Sequence, residues 1–321
     1  MVDRPMVDRF MVDVGRARVL VSGVSGPIGT ALLPTLRAAG AQIARLTRAG
    51  STPAVQDERS IPWESISWNP QEPISSPAVS GFDAVIHLAG ESIVGRWTAA
   101  KKAKIRDSRV VGTRNLAQAL AQTKDKPKVF VCSSAIGYYG NRGDEVLREE
   151  SAPGTDFLAD VCREWEAATQ TAAEAGIRTV QIRTGVVLSP KGGALGKMLT
   201  PFRLGVGGRV GDGRQWMSWI DVQDVVGGIH HILQNDRLRG PVNMVAPKPV
   251  TNAEFAKTLA GVLSRPAIFP VPSLAVKLAF GEMGETVLLG GQRVEPAQLV
   301  ASGYEFRFRE LRDSLRGLLI T

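Results

Sequence analysis

Near the start of the chain, Ser22-Gly23-Val24-Ser25-Gly26-Pro27-Ile28-Gly29 reads G-x-x-G-x-x-G. Glycines at this spacing between a strand and a helix make a cradle for phosphate. Gly23 permits a tight turn, Gly26 lets the backbone close on a pyrophosphate, and Gly29 lets helix and strand pack closely. Ser25, Pro27 and Ile28 complete the turn, and the first amides of the helix favour an anion. Further on, Arg45-Leu46-Thr47-Arg48 ends a second strand without a carboxylate. In a dinucleotide site an acid there would take a ribose 2′-hydroxyl, whereas an arginine suits a 2′-phosphate. Arg48 offers a planar fork and Thr47 a hydroxyl. The sequence therefore predicts NADP(H) in preference to NAD(H).

Groups able to move protons are scarcer. Tyr138 and Tyr139 follow an apolar run, at the strand end where a substrate would lie. A tyrosine with an ordinary pKa near ~10 needs a neighbouring cation to work at neutral pH. Lys101, Arg142 and Arg183 are the candidates for that cation. Glu91 is a second acid/base candidate. His87 ends a buried run and reads as structural, and His230 and His231 lack a third metal ligand. Trp216 and Trp219 suit either stacking on a ligand ring or core packing.

These residues need a scaffold that brings strand ends together. Arg16–Gly23, Gln42–Thr47, Phe82–Leu88, Lys128–Ser133 and Arg178–Leu188 read as strands, with a short one near Ile66 to Trp68. Residues 49–80, with Trp63 and Trp68, otherwise read as loops. Pro27 to Ala39 reads as a helix that Pro34 should kink or loosen. Ile105, Gly112, Leu116, Ala119 and Leu120 share one face of a basic helix. Trp165–Gly176 is helical, and Thr251-Asn252-Ala253-Glu254 is a capping box. Strand alternating with helix predicts an α/β fold, a Rossmann-type doubly wound parallel sheet. The glycines between Gly192 and Gly213 suggest loops close to a ligand. A polar leader is expected over 1–15, a dinucleotide domain over 16–190 joined by part of 215–250, and a smaller C-terminal substrate lobe over 191–321.

Composition narrows the classes. Of 321 residues, 44% are hydrophobic and 22% charged, the balance of a soluble globular chain rather than a disordered or fibrous one. Cys132 and Cys162 form neither a disulfide framework nor a zinc signature, and Cys162 reads as a buried small hydrophobe. A cytoplasmic setting is expected, with no membrane partner. Met-Val-Asp recurs at Met1, Met6 and Met11, so translation could begin at any of the three. The net charge of +8 is uneven: Lys101 to Arg114 holds six bases and one acid. Lacking an aromatic platform, this block reads as a solvated helix face rather than a nucleic-acid surface. Lys101 or Arg106 could instead reach an anionic substrate.

Taken together, the glycine turn, His87-Leu88-Ala89-Gly90, Ser133-Ser134, Tyr139-Gly140, Arg183 with Pro190, and Ser218-Trp219-Ile220-Asp221-Val222-Gln223-Asp224 form a familiar series. The chain resembles the extended short-chain dehydrogenase/reductase superfamily. More narrowly it resembles an "epimerase family" branch that adds a small C-terminal domain of unknown function. Gly90-Glu91-Ser92-Ile93, Ile136-Gly137-Tyr138-Tyr139-Gly140, Phe157-Leu158-Ala159-Asp160-Val161-Cys162 and Gly290-Gly291-Gln292-Arg293-Val294 carry the narrower likeness. The resemblance implies that Leu88, Ala89, Gly90 and the adjacent Glu91 border the adenosine side of the cofactor. It also implies that Ser133 and Pro190 approach the nicotinamide.

The superfamily's acid/base is a Tyr-x-x-x-Lys pair on one helix face, and this chain has none. The matching helix offers Phe157 with Val161, or Leu158 with Cys162, and neither pair moves a proton. Ser134, Tyr138 and Tyr139 are the replacements the sequence offers. Two functions stay open: hydride transfer on a small carbonyl, hydroxyl or nucleotide-sugar-like substrate, or non-catalytic NADP(H) binding by a sensor or scaffold. A homodimer is compatible with either.

Overall fold

The computed structural model describes residues 11–48 and 64–320. Trp63 and the expected leader up to residue 10, with Met1 and Met6, lie outside the described residues. Seven parallel strands form the central sheet: β1 (Arg18–Ser22), β2 (Gln42–Arg48), β3 (Glu64–Trp68), β4 (Ala84–His87), β5 (Val129–Ala135), β7 (Arg178–Thr184) and β11 (Gly240–Met244). Their order is β11-β7-β5-β4-β1-β2-β3, the doubly wound arrangement that the alternation of elements predicts. β1, β4 and β5 are buried nearly throughout, as a sheet covered on both faces requires.

One layer of helices comprises α1 (Pro27–Ala38) and α6 (Val222–Gln234), packed on each other. The other comprises α2 (Ala99–Gln122), α3 (Phe157–Ala167) and α4 (Gln170–Glu174). α1 runs unbroken through Pro34, which sits on its exposed side. Asp156 caps α3 by accepting from the amide of Ala159, so this helix begins well before the expected Trp165.

The long apolar run 178–188 is two strands, not one. β7 ends at Thr184, and β8 (Val186–Leu188) leaves the sheet to pair with β10 (Trp219–Asp221). Gly185 makes the turn because a Cβ there would lie 2.2 Å from the carbonyl oxygen of Ser218. After β8 the glycine-rich segment contains a helix, α5 (Gly193–Arg203), where only loops were expected. Its Leu195, Leu199 and Phe202 are buried, a stripe that the glycines and Pro201 obscure.

The C-terminal lobe contains α5 and α7 (Asn252–Val262), whose Thr251–Glu254 capping box forms as expected. It also holds α8 (Ser273–Phe280), a π-turn over Gly284–Leu288, α9 (Ala297–Ala301) and α10 (Leu311–Leu319). Two short strand pairs, β12 (Val250–Thr251) with β9 (Trp216–Met217) and β13 (Arg293–Val294) with β6 (Val146–Leu147), join it to the rest. The segments around Val12 and around Leu299 to Phe306 both enter the main core. Val12 and Val14 of the expected leader are buried beside α6, and the Val12 amide donates to the carbonyl of Leu233. Leu299 and Phe306 are buried in the same cluster.

Candidate functional site

The sheet order reverses between β1 and β4, and ligands of such folds bind at the strand ends beside that reversal. The expected turn stands there. Gly23 has φ +72°, and a Cβ on it would come within 2.5 Å of the Leu88 carbonyl carbon. The same atom on Gly29 would meet the Gly23 carbonyl oxygen at 2.5 Å. Gly26 caps α1 without any side chain bonding to the helix amides, and Pro27 opens the first turn. Ser25 is exposed and Ile28 half-buried beside them. A cradle that a side chain would fill, closed by an uncapped helix N-terminus, fits a pyrophosphate.

Thr47 and Arg48 lie at the end of β2, as the sequence reading placed them. Across the crevice, Leu88 bonds through its amide to Ser22, and the amide of Glu91 donates to Ser108. Arg109 covers Gly90 and donates to the Glu91 carbonyl at 3.0 Å. The Glu91 carboxylate accepts from Lys101 at 2.8 Å. That hydrogen bond, with the charges of Lys101, Arg48 and Lys104, holds its pKa below the usual carboxylate range. Glu91 is therefore a weak base, and its surroundings gather positive charge.

Other bases of the Lys101–Arg114 block are also engaged. Lys102 pairs with Glu282 and Arg106 with Glu164. Of the cations considered for a tyrosine partner, Arg142 is paired with Glu145 instead.

The expected nicotinamide side holds a buried polar network. Arg183 grips Glu166 with Nε and Nη2, each at 2.8 Å, and Glu166 also accepts from Ser134 at 2.6 Å. Arg183 Nη1 donates to the Tyr139 hydroxyl at 3.0 Å, which in turn donates to Asn243 at 2.7 Å. Burial pushes the Tyr139 phenol up to about 12 despite Arg183. Fully covered and committed at both ends, Tyr139 is a strut, which corrects its expected place among the proton donors. Ser134 is likewise occupied by Glu166. Tyr138 is half-buried, its ring 3.5 Å from the Arg183 guanidinium carbon. Ser133 is buried in β5. Pro190 is exposed, and the turn after it comes near the phosphate cradle, where a Cβ on Gly192 would lie 3.6 Å from Pro27.

The two registers left open on α3 differ in what they contact. A Cβ on Gly137 would sit 3.3 Å from Leu158 and 3.9 Å from the Cys162 sulfur. Leu158 and Cys162 therefore face the turn that follows β5. Phe157 turns instead to Trp97, with ring centroids 5.2 Å apart. Trp97, Ile105, Met283, Phe157, Leu158 and Leu288 make one apolar cluster. Burial drives the Cys162 thiol up to about 12, so it supplies no thiolate. Glu166 was missed by the sequence reading, although it lies one helical turn beyond Cys162 on the same face.

The remaining candidates are structural. His87 is fully buried, bonded to Ser22 at 2.6 Å, and lowered by burial to about 4. His230 contacts Thr35 and His231 contacts Ser302, and no metal-binding cluster exists among the described residues. Trp219 is fully buried, whereas Trp216 lies half-buried between Asp144 and Arg293.

Residues 19–245 match the NAD dependent epimerase/dehydratase family, and residues 271–318 match a domain of unknown function, DUF1731. An epimerase family protein of Mycobacterium bovis is 41% identical over 94% of this chain and 97% of its own. A crystal structure of human epimerase family protein SDR39U1 with NADPH superposes with TM-score 0.83 at 35% identity, covering 94% of this chain and 98% of that one. MoeE5 in complex with UDP-glucose and NAD shares the fold alone, at 20% identity and TM-score 0.72 over 94% and 97% of the two chains.

Proposed function

Because the chain belongs to the NAD dependent epimerase/dehydratase family, we propose that it is an NADP(H)-dependent oxidoreductase of non-standard acid/base. The observation that carries this is the cradle of Gly23 and Gly29 facing the cationic rim of Arg48, Lys101 and Lys104. The Gly26 end of α1 would hold the pyrophosphate, and Thr47 with Arg48 the 2′-phosphate. When bound, NADPH would supply a hydride to a small carbonyl compound, and NADP+ would take one from the corresponding alcohol. Arg109 fixes the Gly90–Glu91 backbone beside the adenosine. Leu158 and Cys162 exclude water from the reacting corner without moving a proton. Among the candidates, Tyr138 retains a phenol with no hydrogen-bond partner among the described residues, beside a fixed cation. It is the group proposed to exchange the proton with substrate.

A second reading rests on the same corner. Apolar side chains at both positions of the pair suit a protein that binds NADP(H) and reports it, without turnover.

Titration calorimetry with NADPH and NADH tests the shared premise. NADPH is expected to bind at least tenfold more tightly, and Arg48→Ala to remove most of that difference. Equal binding of the two would refute the role given to Arg48. Consumption of NADPH with a panel of carbonyl compounds then separates the readings. Turnover lost in Tyr138→Phe with NADPH affinity intact supports the enzyme; no turnover in the parent chain supports the sensor.

A further inference from the structure

Among the described residues, fourteen large apolar side chains are exposed, and eight fall within 204–206 and 268–280. Ile268, Leu274 and Leu278 are each about 70% exposed, and Phe269 about 54%. The two segments lie side by side, since Val210 bridges to Val271 and a Cβ on Gly205 would touch Pro266. Pro266, Pro270 and Pro272 stiffen the loop that presents Ile268 and Phe269. α8 follows at once and buries only Val276. Scattered exposed apolar residues are ordinary, but a concentrated group on one lobe marks a contact surface.

A groove of about 590 Å³ adjoins this loop. Ile268 lines it together with Arg209, Lys257 and Arg265, over a floor of alanines from α7, and no acid lines it. Among the described residues, Lys257 and Arg265 make no ion pair or side-chain hydrogen bond, and Arg209 donates only to the Asp212 carbonyl. Of the acids close in sequence to these cations, Glu254 caps α7 and the Asp212 carboxylate accepts from the Arg214 amide, and neither pairs with a groove cation among the described residues. The groove thus sets uncompensated cations beside exposed aliphatic and aromatic side chains.

We infer that the Ile268–Phe269 loop, α8 and the adjoining cationic groove form a docking surface for an anionic phospholipid bilayer. Headgroup phosphates meet Arg209, Lys257 and Arg265, while the apolar side chains enter the acyl boundary. A second copy of the chain fits less well, because a two-fold contact would set this basic rim against itself. The contact is peripheral, since no helix among the described residues is long and apolar enough to cross a membrane. It stands independently of the cofactor reading, as none of these residues lines the dinucleotide cradle.

Co-sedimentation of the full chain with vesicles tests this surface. Equal parts phosphatidylcholine and phosphatidylglycerol are expected to retain the protein at about 0.1 M salt, and phosphatidylcholine alone to leave it free. Ile268→Ser with Phe269→Ser, and separately Lys257→Glu with Arg265→Glu, should each cut the bound fraction at least fivefold. Unaltered NADPH affinity and melting temperature show that each variant is folded, and Leu278→Ser replaces any variant that is not. Retention equal on both vesicle types, none on either, or folded variants binding like the parent would overturn the assignment. So would full release by millimolar glycerol phosphate, which would mark a site for a soluble anion.

Discussion

Charge that is buried must be answered locally, and Arg183 with Glu166 shows how. Their side chains are 3% and 14% exposed, joined by two parallel bonds. Burial alone would lower the arginine's pKa, but Glu166 raises it above its usual range. Removing one partner strands the other, so Glu166→Ala is expected to cost about 3–5 kcal/mol in urea unfolding. A loss under about 1 kcal/mol would show the pair to be solvated. His87 makes the opposite choice and stays neutral. Its imidazole protonates near 4 when folded and near 6.5 when unfolded. Below pH 6.5 the unfolded chain therefore binds the extra proton, and stability is lost as pH falls toward 4. The loss from this residue approaches about 3 kcal/mol, read as falling melting temperature; His87→Phe should flatten that slope. The residue types at these places were legible in the sequence, but their commitments were not. Tyr138 and Tyr139 are adjacent in the chain, yet only Asn243, over a hundred residues away in sequence, decides that Tyr139 is a strut.

Elements were legible where one periodicity ruled a whole segment. β1, β2, β4 and β5, the capping box of α7 and the glycine turn fall where the sequence places them, whereas no strand was expected at β11. The failures lie where tertiary contact overrode local pattern. Nothing within 178–188 announces that the chain changes sheets, because both halves are equally apolar; Ser218, thirty-odd residues later, forces the turn. Gly185→Ala tests this. Its Cβ would meet the Ser218 carbonyl oxygen at 2.2 Å and a side-chain methyl of the buried Val245 at 2.8 Å. Such crowding costs about 1–3 kcal/mol, expected as a melting temperature lower by several degrees. An unchanged transition would mean that β8 can slide. On α3, by contrast, the spacing left two registers open, and only the fold shows that Leu158 and Cys162 lie against Gly137 while Phe157 meets Trp97.

At the scale of the molecule, the two matched family segments are one folding body. Asp224 on α6 accepts from the backbone of Arg307 and Phe308 and from the Tyr304 hydroxyl. Ser314 on α10 donates to Asp221 at 2.6 Å, and Glu149 accepts from the amides of Asn243 and Gln298. A chain ending at residue 245 would expose Val225, Ile229 and Val242, which share a cluster with Leu299 and Phe306. Such a chain is expected to lack a cooperative thermal transition, whereas the full chain shows one. Two independent transitions in the full chain would contradict this. The net charge of +8 is also resolved at this scale. Much of the basic block on α2 is spent on internal pairs, which leaves the uncompensated cations of the C-terminal lobe to face outward.

The C-terminal strap also governs time. The glycine cradle leaves the ribosome first, and Leu299 and Phe306 reach the core only after residue 306 has emerged. Until then α6 and β11 carry an uncovered apolar face, a hazard for a nascent chain. Contacts so distant in sequence also close slowly. The sheet and its phosphate cradle are thus complete in sequence before the segment that closes their core.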